Sequence, residues 1–239
     1  MNQNKLVSII MPVFNTDKYL KEALDSIFSQ TYRNFEIICI DDGSIDNSLP
    51  ILKSFENRIK LIINDKNYGT SESRNRGIQL SKGEFLAFLD ADDIWEKNKL
   101  EIQIKEFNDK PDLDVSFAYM QCFISPELSG DARNKRYCPP DSVPCHIPSS
   151  AVIKRTSFEK VGYFDTRFKN IEFMDWVNKA KETGLKIETL NDTLVFRRIH
   201  ETNVGIIDKE HSRSDYLKII KESLERKRKN NQSSGKINL

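Results

Sequence analysis

The segment GEFLAFLDADDIW, residues 83–95, decides the fold because an apolar run ends there in a group of carboxylates. Residues 85–89 are typical of a buried strand, and Asp90, Asp92 and Asp93 follow within four residues. Carboxylates this close repel one another unless they share a cation, and oxygen ligands favour Mg²⁺ or Mn²⁺. The segment alone fits equally well an acidic loop, in which Asp92 or Asp93 caps a helix beginning at residue 94.

Composition limits the class of protein. The chain has 239 residues, of which 38% are hydrophobic and 31% charged, as expected for one large domain or a domain with a small appendage. A net charge of +1 argues against a dedicated nucleic-acid-binding protein. The opening MNQNK leads directly into an apolar run, residues 6–11, that is too short to span a bilayer. We therefore expect a cytoplasmic protein.

Strand-like runs alternate with helical patterns in the first half of the chain. The runs cover residues 7–11, 36–40, 60–63 and 85–89. This alternation predicts βαβ units and an α/β fold, with a mostly parallel central sheet flanked by helices. Such sheets bind ligands beyond the carboxyl ends of their strands. The acidic groups at 41–42 and 90–93 both follow strands, so we expect them at one edge.

The second half is less regular. Its predicted elements are a strand at 115–123, a long loop at 125–149 that orders around a ligand, a helix at 172–183 and a strand at 194–199. We divide the chain into a main domain (1–205), a C-terminal helical extension (206–229) and a disordered tail (230–239). The basic run 226–229 indicates either a solvated helix end or a weak contact with the inner face of a membrane.

Several residues near the predicted strand ends are candidates for nucleotide binding. Backbone around Pro12 could line a base or ribose, and the carboxylates of Asp41 and Asp42 suit a base N–H or ribose hydroxyls. Arg74, early in a helix, could reach a base or a phosphate. No glycine-rich phosphate loop follows any strand, which argues against a dinucleotide-binding dehydrogenase or a P-loop NTPase.

Together these segments resemble one family. The series VSIIMPVFN, FEIICIDDGSIDNS, NYGTSESRNRGI and GEFLAFLDADDIW is similar, in order and spacing, to family 2 glycosyltransferases of the GT-A fold. Further on, KRTSFEKVGYFD and RRIH resemble the stretch after that family's acceptor loop and its closing Arg/His segment. The resemblance implies inverting transfer of a sugar from a nucleotide diphosphate, with a UDP-sugar favoured. The acceptor stays open between a glycan, a lipid carrier, a natural product and a peptide.

The resemblance also implies roles for individual residues. It assigns the nucleotide-sugar to Pro12, Val13, Asn15, Asp41, Asp42, Arg74, Asp90 and Ala91. It assigns a bound Mn²⁺ or Mg²⁺ to Asp90, Asp92 and His200. A purely structural role is the alternative for a lone histidine such as His200.

The catalytic base is where this chain departs from the family. The family places an Asp directly after a Glu near residue 172, but here Phe173 stands in that position. Glu172 and Asp175 share one helix face, and we predict Glu172 as base with Asp175 as the alternative. The non-catalytic alternatives are an ion pair with Lys179 for Asp175 and an interaction with the helix dipole for Glu172. Phe173 also leaves open the alternative that the chain is a nucleotide-sugar-binding protein that has lost activity. A further alternative, a nucleotidyltransferase, would need a glycine-rich loop after the first strand.

Overall fold

The computed structural model describes residues 5–134, 136–168, 171–203 and 209–234. The strands are β1 Val7–Val13, β2 Phe35–Asp41, β3 Lys60–Ile63, β4 Phe85–Phe88, β5 Ile94–Trp95, β6 Val115–Ile124, β7 Val143–Cys145, β8 Val152–Lys154 and β9 Ile187–Ile199. The helices are α1 Asp17–Phe28, α2 Ser48–Ser54, α3 Thr70–Leu80, α4 Lys99–Asp109, α5 Gly130–Asn134, α6 Arg155–Val161, α7 Glu172–Glu182 and α8 Lys209–Ser234, and a 3₁₀ turn covers Pro148–Ser150.

The described strands form one sheet in the order β3-β2-β1-β4-β8-β6-β9-β5, and β7 pairs with β6. The first four strands are parallel. β8 is antiparallel to both of its neighbours, β5 is antiparallel to β9, and β6 and β9 run parallel. The predicted α/β fold is therefore confirmed, with its parallel arrangement in the first half of the sheet and a mixed arrangement in the second.

β1 is the central strand of the parallel half, and its sequence VSIIMPV is almost wholly buried. Burial on both faces explains its continuous apolar run. Pro12 is tolerated because the pairing with β4 ends at Ile10, two residues earlier. The strand therefore loses no bond to β4 at the position where proline lacks its N–H.

Helices cover both faces of the sheet. One core cluster joins α1 and α4 to the sheet through residues such as Leu24 and Leu100. The other joins α3, α6 and α7 through Ile78, Phe158 and Trp176. α3 packs so closely that a Cβ on Gly77 would lie 2.6 Å from Ile10 Cγ2. Only glycine fits this approach.

One alternative is excluded, and three expectations about secondary structure were wrong. Residues 94–95 form a strand paired with β9, and the next helix begins at Lys99. Segment 125–149 contains α5 and β7, and its Ser149 is fully buried. β9 begins at Ile187 rather than at 194 because it pairs with β6 over ten residues. α8 continues to Ser234, into the predicted tail.

The boundary between the main domain and the C-terminal extension, near 205, lies outside the described residues, as do 235–239 of the predicted tail. No helix in the described ranges combines the length and apolar character that a membrane span requires.

Candidate active site

The carboxyl ends of β1, β2 and β4 meet at one edge of the sheet. Val13 of β1 lies opposite Asp41 of β2, and the N–H of Leu89, just after β4, donates to the carbonyl of Ile10 at 3.1 Å. The loops that leave β1, β2 and β4 therefore start side by side. This edge carries most of the residues predicted to bind the nucleotide-sugar.

The loops after β1 and β2 hold each other. The N–H of Asn15 donates to Ser44 Oγ at 3.1 Å, and the N–H of Ile45 donates to Asn15 Oδ1 at 2.9 Å. Asn15 adopts a φ of 51°, in the left-handed region that asparagine tolerates. The chain after Pro12 and Val13 is thus fixed against the Asp41–Ser44 turn.

Asp42 positions a neighbouring loop. Its Oδ1 accepts from Asn64 Nδ2 at 2.7 Å and from the N–H of Tyr68 at 2.9 Å, while its Oδ2 accepts from the N–H of Gly69 at 2.8 Å. The φ of +73° at Gly43, where a Cβ would meet backbone of residue 66 at 2.8 Å, brings the two loops this close. Both Asp42 oxygens already accept hydrogen bonds from within the protein. A nucleotide contact for Asp42 therefore stays a prediction.

Asp41 differs from Asp42 in this respect. It is 1% exposed, and its Oδ2 accepts one long bond of 3.4 Å from the N–H of Ser44. Its Oδ1 is buried and accepts no hydrogen bond from any described residue. A buried acceptor without a donor is costly, and such groups commonly await a ligand.

Phe14 was missed in the sequence analysis. It lies directly after Val13, the Cα partner of Asp41, and its side chain is 43% exposed. An exposed aromatic ring at a fixed strand end can stack on a planar base. The signal was present in the sequence, since Phe14 is the aromatic residue in the turn that follows the first strand.

The carboxylates after β4 form a tight turn, in which the N–H of Asp93 donates to the carbonyl of Asp90 at 3.0 Å. Asp93 is buried and structural: it accepts from Ser149 Oγ at 2.8 Å and from the N–H of Arg198 at 3.2 Å. Burial, with the neighbouring Asp92 and Asp90, raises the pKa of Asp93 well above its ordinary value. Ala91 packs into the core, so only its backbone could contact a donor sugar.

Asp92 lies beside His200, and these are two of the three residues that the resemblance assigns to a metal ion, a role that stays a prediction. Its Oδ2 is 2.9 Å from His200 Nε2 and accepts from Asn203 Nδ2 at 3.2 Å. The N–H of Thr202 donates to His200 Nδ1 at 3.3 Å, which places the proton of neutral His200 on Nε2. Thr202 Oγ1 is 3.0 Å from Nδ1 and could accept from it in the other tautomer. Nε2 can therefore become a metal ligand while Nδ1 keeps a partner.

Asp90 is paired with Arg74. Arg74 Nη2 lies 2.5 Å from Asp90 Oδ1, and Nη1 bonds Glu172 Oε1. Arg74 is buried, and its Nε has no partner among the described residues. Within the described ranges, no group of three or more His, Cys, Asp or Glu side chains is arranged to hold a metal ion. The three predicted ligands thus do not converge, because Arg74 neutralises Asp90 instead.

The two candidate bases lie in different surroundings. Glu172 is buried against Arg74; burial raises its pKa, and the charge of Arg74 opposes that shift. Asp175 lies 2.5 Å from Lys179, the i,i+4 pair weighed as its non-catalytic role. Phe173 is a core residue, edge-on to Phe88 and stacked on Trp176. Glu172 is the candidate that adjoins the acidic turn.

Other residues of this edge could not be found from the sequence. Arg198 donates through Nε to the carbonyl of Asp92 at 3.1 Å and ion-pairs with Glu22. The Tyr19 ring lies 4.5 Å from that of His200, centroid to centroid. Ser149, which bonds Asp93, comes from the segment predicted to be a loop. These contacts join positions more than fifty residues apart; the RRIH segment includes Arg198 and His200, but no local motif shows which residues they contact.

Comparison with known proteins places this geometry in a family. The model of glycosyl transferase family 2 matches residues 8–162, well over half of the chain. The chain belongs to glycosyltransferase family 2. It is 39% identical over 115 residues to glycosyltransferase GlyG of Streptococcus pneumoniae, covering 47% of this chain and 38% of that one. It is 44% identical over 100 residues to the Escherichia coli UDP-Glc:alpha-D-GlcNAc-diphosphoundecaprenol beta-1,3-glucosyltransferase WfgD, covering 41% and 40%.

Solved structures show the same fold. The crystal structure of S. aureus TarS 1–349 in complex with UDP matches with a TM-score of 0.68 and 23% identity, over 81% of this chain and 60% of that one. The mannosyltransferase PcManGT from Pyrobaculum calidifontis, in complex with GDP-Man and Mn²⁺, matches with a TM-score of 0.67 and 20% identity, over 86% and 60%. At these identities the likeness confirms the GT-A fold.

Proposed function

We propose that this protein is an inverting glycosyltransferase that moves a sugar from a nucleotide diphosphate, with UDP favoured, to an acceptor hydroxyl or other nucleophile. The observation that carries the proposal is Asp41, whose buried Oδ1 has no donor among the described residues. A uracil ring offers an N–H that would satisfy this oxygen. The exposed Phe14 ring, next to the residue paired with Asp41, would stack on the same base.

A divalent metal, Mn²⁺ or Mg²⁺, belongs to this proposal. The donor set fits it, since Asp92 offers a carboxylate and His200 an imidazole 2.9 Å away that can change its tautomer. Asp90 would join them only if Arg74 released it. The metal would neutralise charge on the diphosphate as the sugar leaves. The Mn²⁺ and GDP-Man bound to PcManGT support the same chemistry in a related fold.

Arg74 and Glu172 supply the remaining chemistry. Arg74 is positioned beside the acidic turn, where its charge can stabilise a leaving diphosphate. Glu172 would take the acceptor's proton as the acceptor attacks the face of the sugar opposite the diphosphate, which inverts the anomeric carbon. Its raised pKa suits a base, because the carboxylate is then a stronger proton acceptor.

The acceptor is open between a glycan, a lipid carrier, a natural product and a peptide. The name of the E. coli relative, a glucosyltransferase for a diphosphoundecaprenol-linked sugar, supports a lipid carrier. A cytoplasmic location, with contact at the inner face of the membrane through the basic run 226–229, stays a prediction. The chain spans 38% and 40% of the two relatives compared above, so the activity of the whole protein is part of the proposal.

Thermal-shift measurements test the donor site. UDP, UDP-GlcNAc, UDP-Glc and GDP-Man would each be added with and without Mn²⁺, since a ligand that binds the folded state raises its melting temperature. We expect UDP and a UDP-sugar to stabilise the protein in Mn²⁺. Asp41→Ala should weaken UDP and the UDP-sugar equally, by about tenfold to a hundredfold, because it removes a charged acceptor for their shared base.

Asp25→Asn is the matched control, since Asp25 is an exposed carboxylate paired with Lys21 on α1. It should bind UDP as the wild type does. Stabilisation by none of the nucleotides would contradict the proposal. Binding of the donor with neither transfer nor donor hydrolysis would favour the second candidate, a nucleotide-sugar-binding protein, which Phe173 at the family's base position supports.

A further inference from the structure

The outward face of α8 carries exposed apolar side chains. Tyr216, Leu217, Ile220 and Leu224 are 46%, 61%, 39% and 51% exposed. At about 100° of rotation per residue, these four positions fall within an arc of about 100° on the helix surface. We call them the apolar stripe. A stripe of this width is typical of a helix face that meets a second apolar phase or surface.

The opposite face of α8 is fixed to the body of the protein. Ile219 is fully buried, Arg167 lies 3.1 Å from Glu222, and Arg226 Nε donates to Glu182 at 2.6 Å. Ser223 Oγ also donates to Glu182, at 2.5 Å. Rotation of α8 to bury the apolar stripe would break all of these contacts. The stripe is therefore held outward by the fold.

Charged residues are segregated around the same helix. Between residues 214 and 228, the half centred on the stripe holds the exposed cations Lys221, Lys227 and Arg228. The three carboxylates of this stretch lie on the other half, where Asp215 is buried and Glu222 is paired. The third, Glu225, lies about 130° around the helix from the centre of the stripe. The outward half is thus apolar and cationic, without a carboxylate.

We propose that α8 is an interfacial helix that docks this protein on an anionic lipid bilayer. The apolar stripe would enter the acyl boundary, and Lys221, Lys227 and Arg228 would meet lipid phosphates. Charge complementarity selects this occupant, because a second copy packed on the stripe would bring cationic rims of the same sign close together. The inference goes beyond sugar transfer and depends on none of the residues assigned to it.

Docking would also orient the candidate site. α8 is held by Glu182 at the end of α7, and α7 begins at Glu172. Helix α7 thus connects the bilayer-facing helix α8 to the candidate base.

Vesicle co-sedimentation of the purified chain tests this proposal. We expect binding to phosphatidylglycerol-containing vesicles that weakens as salt rises, and much weaker binding to phosphatidylcholine alone. Leu217→Gln/Ile220→Gln/Leu224→Gln should lower the partition coefficient by about tenfold or more. Lys221→Glu/Arg228→Glu should lower it by at least about fivefold for each cation reversed.

Two control variants carry the same kinds of change elsewhere. Ile63→Gln alters a half-exposed apolar residue of strand β3, and Lys105→Glu reverses an exposed lysine of α4. Both should bind vesicles as the wild type does, and all variants should unfold at the wild-type temperature. Equal vesicle binding by wild type and the triple variant would overturn the proposal. A second result would also overturn it: the wild type forms a dimer in analytical ultracentrifugation and does not bind vesicles, and the triple variant is monomeric.

Discussion

The two halves of the sheet treat their buried charges differently. In the parallel half, Asp41 keeps an oxygen with no donor among the described residues, and Asp42 accepts only from neutral amides. In the mixed half and the α7 helix beside it, buried charges are paired, as in Arg198 with Glu22 and Asp175 with Lys179. Asp41 can thus accept a hydrogen bond from a ligand without disturbing an ion pair.

Arg74 connects the halves, because it bonds Asp90 after β4 and Glu172 at the start of α7. If the mixed half supplies the base, this ion pair has to be redistributed before Glu172 can act. Removing one partner of a buried pair is costly, so the incoming diphosphate must take over the role of the carboxylate opposite Arg74. The comparison therefore predicts that donor binding and base activation are separable by mutation.

The largest expected effect is that of Glu172→Gln, which sharpens this separation. The change keeps the shape of the side chain and removes its charge, so transfer should fall by about 10² to 10⁴. Donor affinity should not fall, because the nucleotide residues lie in the parallel half and Arg74 loses a competing carboxylate. Because burial raises the pKa of Glu172, the acid limb of the wild-type rate profile should lie above the range of an ordinary glutamate. Steady-state kinetics across pH, with donor binding by calorimetry, measure both.

Asp175→Asn is the matched variant on the same helix. Asp175 pairs with Lys179 rather than with Arg74, so its loss should leave transfer within about threefold of the wild type. If Asp175→Asn abolishes transfer and Glu172→Gln does not, the roles are exchanged. If neither folded variant is slower, the base lies outside α7.

Asp92→Asn should have the next largest effect, and it tests the boundary between the halves. Asp92 follows β4 but contacts His200 and Asn203 after β9. Loss of its charge should reduce kcat/KM by about 10² to 10³ and remove Mn²⁺-dependent stabilisation by the donor. Asp25→Asn again serves as the control. Equal donor affinity in Mn²⁺ for variant and wild type would exclude Asp92 as a metal ligand.

The parallel half was readable from the sequence for a physical reason. Its strands and helices alternate along the chain, so local periodicity is enough: β3 has the predicted bounds, Lys60–Ile63, and Arg74 lies early in a helix, α3, as predicted. The candidate residues there lie at strand ends, and the order of the elements alone brings strand ends to one edge.

The mixed half depends on pairings that no local pattern reveals. β9 includes the polar residues Asn191 and Asp192, which loop out where its register with β6 shifts between Leu190 and Thr193. A stretch this polar forms a strand because β6 supplies a partner, and tertiary pairing here outweighs propensity. Ser149 and Asn203 likewise contact the acidic turn from positions more than fifty residues away in the sequence, which no local pattern reveals.

The smallest expected effect concerns Lys99, whose amine is buried beside Trp95 of β5, in the mixed half, and forms no ion pair with a carboxylate of the described residues. Its Nζ donates to Gln103 Oε1 at 2.6 Å and lies 4.2 Å from the centroid of the Trp95 ring. Burial lowers the pKa of Lys99 well below 10.5. At pH values between the folded-state and unfolded-state pKa of Lys99, the unfolded chain binds a proton at Lys99 that the folded chain does not bind. The free energy of unfolding is therefore highest above pH 10.5 and falls as the pH drops toward the folded-state pKa.

Lys99→Met cannot bind that proton, so the two proteins should respond differently to pH. Just below pH 10.5, the free energy of unfolding of the wild type should rise with pH more steeply than that of Lys99→Met, by up to about 1.4 kcal/mol per pH unit. Urea unfolding at several pH values measures the slopes. Lys105→Met, at an exposed lysine of the same helix, should run parallel to the wild type. If Lys99→Met also runs parallel, Lys99 is protonated in the folded state, and a buried charge in this half can be held by an amide and an aromatic ring alone.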